Sequence, residues 1–83
     1  MNIESKVIAR INRLNWVKFQ YPYPNNSVGN LGLGDGFTLR STPNGYSLYL
    51  NESLLEFLKE TDAITNALHS RQKELEALAL EAL

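Results

Sequence analysis

Cysteine is absent from the 83 residues, and histidine and tryptophan occur once each. Without cysteine there is no disulfide scaffold, no thiolate metal site and no cysteine nucleophile. The single histidine, His69, has no H-x-x-x-H or comparable ligand spacing around it, and no G-x-S-x-G turn presents a serine. The sequence therefore predicts no metal, no cofactor and no enzymatic activity. Long apolar runs are missing too: no stretch of about 18 apolar residues exists to cross a membrane. The opening Met1-Asn2-Ile3-Glu4-Ser5-Lys6 also lacks the apolar segment of a secretory signal. The expectation is a cytoplasmic protein with no membrane partner. Charge is scarce in the middle of the chain, where residues 21 to 50 hold only Asp35 and Arg40.

What charge there is lies at the two ends. Residues 1 to 20 carry Lys6, Arg10, Arg13 and Lys18 against Glu4, and residues 51 to 83 carry seven acids against Lys59, Arg71 and Lys73. The whole chain is nearly neutral, at −1. A chain of this length fits one small domain, read as residues 1 to 83, whose single core leaves a narrow stability margin.

Ile3, Val7, Ile8, Ile11 and Leu14 recur at spacings of three and four, the stripe of an amphipathic helix that Asn2 is placed to cap. From Trp16 to Tyr21 the pattern alternates, with Val17, Phe19 and Tyr21 on one side, which predicts a strand ended by Pro22 and Pro24. The segment Gly29-Asn30-Leu31-Gly32-Leu33-Gly34-Asp35-Gly36 reads as a loop. It fits no nucleotide motif: Phe37 falls on the third glycine of the dinucleotide fingerprint, and Asp35 stands where a P-loop needs lysine. Pro43-Asn44-Gly45 is a turn between alternating runs, so Phe37 and Leu39 share a face with Tyr46, Leu48 and Leu50.

Ser53-Leu54-Leu55-Glu56 has the form of a capping box, and Leu54, Phe57, Thr61, Ile64, Leu68, Leu75, Leu78 and Ala82 continue at helical spacing. This predicts a helix of about 30 residues and about 45 Å, continuous or broken near Thr61-Asp62. The fold class expected is α+β in the order α-β-β-β-α, a small antiparallel sheet packed on an N-terminal helix and a long C-terminal helix. Such a helix overhangs a domain roughly 30 Å across. Residues 74 to 83, rich in leucine, then form a protruding association segment.

These readings converge on a non-enzymatic protein-protein interaction module, an adaptor, inhibitor or assembly component. It binds a partner protein through the last helix or, as the favoured case, self-associates as a homodimer. The expected interface is Ile64, Leu68, Leu75, Leu78 and Ala82, with Arg71 setting register and Leu80 and Leu83 beside the stripe. Tyr21 and Tyr23 form a possible second interface. The alternative is a nucleic-acid-binding regulator using Lys6, Arg10, Arg13 and Lys18 with the neighbouring aromatics. A sequence pI near 5.7 lacks the basic footprint such a protein needs. The element order resembles that of double-stranded RNA-binding domains, but Glu52, Glu56 and Glu60 stand where those domains open their second helix with lysines. The stretch from Gly34 to Leu39, followed by Thr42-Pro43-Asn44-Gly45, is similar to hairpins of phage tail and other virion proteins. That adds a virion structural component to the alternatives.

Overall fold

A computed structural model describes residues 2–17, 29–59 and 62–83. Helix α1 spans Ile3–Ile11, strands β1 to β4 span Asn30–Gly34, Phe37–Thr42, Gly45–Leu50 and Ser53–Leu58, and helix α2 spans Asp62–Glu81. The class is α+β: an antiparallel sheet lies between an N-terminal and a long C-terminal helix in the chain, and all three pack together. The sheet holds four strands in the order β1-β2-β3-β4, so each strand lies beside the one that precedes it in sequence.

Helix α1 starts where the sequence places it, with the Asn2 side chain accepting from the Ser5 N–H at 2.8 Å. Its stripe delivers Val7 and Ile11 to the core. Trp16 and Val17 lie in no strand. The rest of the predicted strand, Lys18 to Tyr21, falls outside the described residues. Val17 is nonetheless buried, so an apolar residue six positions after the end of α1 serves the core without a ladder partner.

The glycine-rich segment is a strand rather than a loop. Leu31 and Leu33 are buried while Asn30, Gly32 and Gly34 are exposed, which is the two-residue period of a half-covered sheet. Asp35 and Gly36 alone make the turn to β2, at φ 54° and 84°, the paired positive values for which Asp-Gly is suited. Pro43 and Asn44 connect β2 to β3 as expected, and the register sets Phe37 opposite Leu50, Leu39 opposite Leu48 and Ser41 opposite Tyr46.

Residues 53 to 58 also depart from expectation: they form β4, not the start of the last helix. Asn51, at φ 55°, and Glu52 turn the chain back on β3. Tyr49 then pairs with Leu54 but Leu48 with Glu56, leaving Leu55 as an extra, bulged residue. The bulge puts Leu54 and Phe57 on one face of a strand although they are three apart. That spacing imitates a helix.

Both helices cover one face of the sheet. The core joins Val7 and Ile11 of α1, Leu31, Leu33, Leu39, Tyr46 and Leu48 of the sheet, and Ile64 and Leu68 of α2. Each fully buried side chain of this size contributes about 1.5 to 3 kcal/mol. The Tyr46 hydroxyl, carried into this layer, lies 2.8 Å from the Thr65 hydroxyl of α2. The opposite face, carrying Thr38, Arg40, Ser47, Tyr49, Leu54 and Phe57 by register, has no covering layer among the described residues.

Candidate functional site

Helix α2 is 20 residues, about 30 Å, shorter than expected because 53–58 go to the sheet. Its apolar stripe divides in two. Ile64 and Leu68 are wholly buried in the chain's own core, so of the expected interface they serve the fold. One turn on, Arg71 is largely buried; its Nε donates to the Leu14 carbonyl at 2.8 Å and an Nη to Glu74 at 3.1 Å. It fastens α2 to the segment after α1, a contact within the chain that its heptad position does not reveal. Leu75, half-buried, continues the stripe.

Beyond Leu75 every residue to the end is exposed. Leu78 is 56% exposed, Leu80 70% and Leu83 101%, and Ala82 lies on the stripe between them. Leu75, Leu78 and Ala79 form one wall of a groove whose other wall is Trp16 and Val17. Trp16 is mostly exposed. Residues 74 to 83 therefore present an apolar strip continuous with the core stripe, and leucine stays in water here only at a cost. Leu80 points away from the stripe, about 140° round the helix from Leu75 at 100° per residue.

The basic residues do not form one patch. Arg10 lies over the Phe37 ring, 4.6 Å from its centroid, and one of its Nη atoms faces Asp35 Oδ2 at 3.2 Å and the carbonyls of Gly34 and Leu33 at 3.3 and 3.4 Å. Its charge is spent holding the β1–β2 turn against α1. Lys6 and Arg13 are exposed, and Lys18, like Tyr21 and Tyr23, lies outside the described residues. His69 is on the exposed side of α2, and among the described residues no cluster of His, Cys, Asp and Glu is placed to hold a metal ion. No helix is long and apolar enough to cross a membrane among the described residues.

A second apolar surface has no counterpart in the sequence reading. Strand β4 is the edge of the sheet, and Leu54, Leu55 and Phe57 are 59%, 47% and 38% exposed. Read as helix, Leu54 and Phe57 belonged to the apolar stripe; the strand order sets them at an edge with no further strand among the described residues, and the bulge at Leu55 sets their face. Comparison of the chain with protein-family models, with curated proteins and with solved structures finds no match.

Proposed function

We propose that the chain is a cytoplasmic, non-enzymatic protein-protein interaction module that associates through the distal half of α2, with a second copy of itself as the favoured partner. The observation that supports this reading is the continuity of one helix stripe: Ile64 and Leu68 are covered by the chain's own core, Leu75 is half-buried against it, and Leu78 and Ala82 carry the same stripe on exposed. Ala79 and Ala82 are small enough to let another helix approach closely, and Leu78 flanks them as an anchor.

With Leu80 on the far side, Leu78 and Leu83 together expose about one and a half full leucine side chains. Covering that much contributes about 2 to 5 kcal/mol per copy before ordering costs. A two-fold helix pair doubles the gain.

The test is solution mass by light scattering over a range of concentrations. It compares the full chain, a chain ending after Lys73, and the variant Leu78→Glu with Leu83→Glu. The expected result is a concentration-dependent self-association of the full chain whose mean mass either change lowers, while the far-ultraviolet spectrum of the double variant is kept. A full chain that stays monomeric at all concentrations removes self-association through α2.

A further inference from the structure

We infer that the free edge of β4 is a second self-association surface, on which two copies pair antiparallel about the midpoint of Leu55 and Glu56 and join two sheets into one of eight strands. This shares with the α2 reading only that the partner is a second copy; the residues involved are separate.

The argument begins with the faces of β4. Ser53, Glu56 and Leu58 pair with Leu50, Leu48 and Tyr46 and so point to the helix-covered side, whereas Leu54 and Phe57 pair with Tyr49 and Ser47 on the open side. The bulged Leu55 lines the cleft beside Val7 and Leu48, so it too points to the helix side. From Ser53 to Leu58 the order of faces is therefore in, out, in, in, out, in. Read backward, the order is unchanged. In antiparallel pairing, residues directly opposite point to the same side of the sheet. A strand with regular alternation cannot meet that condition along the whole of β4, because the bulge breaks the alternation. A bulge at an edge blocks pairing with ordinary strands. A strand with the same bulge at the same place meets the condition, and the chain's own copy has it.

That register is also chemically self-consistent. Leu54 of each copy falls opposite Phe57 of the other, which gathers four exposed apolar side chains into one cluster on the open face. Just outside the strand, Glu52 of each copy falls opposite Lys59 of the other, so both ends of the seam carry an opposite-charge pair. Both residues are exposed, and neither takes part in a salt bridge among the described residues.

The test is made in the full chain carrying Leu78→Glu and Leu83→Glu, so that association through α2 does not contribute. Light scattering is expected to show a dimer that Glu52→Lys weakens roughly tenfold, since two ion pairs become two repulsions. Glu52→Lys combined with Lys59→Glu is expected to restore it, because the swapped charges again face each other. For register, Leu54→Cys and Phe57→Cys are prepared singly and mixed under mild oxidation. Since the native chain has no cysteine, the mixture is expected to cross-link at least tenfold more than either variant alone. A monomer in the α2 variant background, a charge swap that fails to restore pairing, or equal cross-linking in the mixed and single samples overturns the proposal. Failure of the α2 reading shows instead as an association that Leu78→Glu with Leu83→Glu leaves unchanged.

Discussion

Replacing Gly45 by alanine tests the strand assignment of residues 53 to 58 most directly. Gly45 opens β3 at φ 146°, where an L side chain is strained, and a Cβ there would run into the Leu58 carbonyl oxygen and lie 3.3 Å from the Phe57 ring. The oxygen belongs to the backbone of the neighbouring strand, so relief requires β4 to move and not merely a side chain to turn. The strained dihedral costs about 1 to 3 kcal/mol. With the backbone conflict added, the expected loss is about 3 kcal/mol or more. That is a large share of the roughly 4 to 12 kcal/mol expected for a domain of this size. The corresponding fall in Tm is at least about 12 °C. Gly32→Ala is the matched control: a Cβ there has nothing within 4 Å, and the change is expected to be neutral or slightly stabilising. Both variants are compared with the parent by thermal and urea unfolding. A Gly45→Ala midpoint within about 2 °C of the parent would mean that the Leu58 carbonyl is not there, and β4 would lose its assigned pairing with β3.

Arg71→Ala is expected to cost about 2 kcal/mol in urea unfolding, because it removes a charged donor from the Leu14 carbonyl, and Arg71→Lys is expected to recover less than half of that for want of an Nε donor. The Glu74 pair adds little, since that carboxylate is mostly exposed, so Glu74→Gln should change stability by less than about 0.5 kcal/mol. Tyr46→Phe is expected to cost about 1 kcal/mol by losing the bond to Thr65 while keeping the ring in the core; Thr65→Val should add little to it in the double variant.

The parts of the fold legible in the sequence are those where one local rule acts alone. Asn2 caps α1, Pro43 and Asn44 turn β2 into β3, and the Phe37, Leu39, Tyr46, Leu48 face follows from alternation. Two strands were illegible for opposite reasons. In β1 the glycines at 32 and 34 remove the side chains that would mark the exposed face, so only two leucines carry the period and the segment looks like a loop. In β4 the signal is strong but misleading. Ser53 to Glu56 satisfies a capping pattern, and the bulge spaces Leu54 and Phe57 as a helix would, so local sequence favours one structure and pairing with β3 decides for the other. The candidate surfaces divide in the same way. The apolar distal end of α2 could be read directly. That Ile64, Leu68 and Arg71 are used internally depends on where α1 docks, which no periodicity within α2 encodes.

The sheet is a pure meander, and this bears on how the chain folds. Each of its three connections is two residues long, so every strand pair closes over a minimal loop and costs little chain entropy. Contact order within the sheet is low. The long closure is between the helices, where Arg71 reaches back 57 positions to Leu14. The meander can therefore form early and present two faces to water, one with Leu31, Leu39 and Leu48 and one with Thr38, Arg40 and Tyr49. Docking of α1 and α2 on the apolar face is then the late event, and mutations in that contact should speed unfolding while leaving the folding rate nearly unchanged.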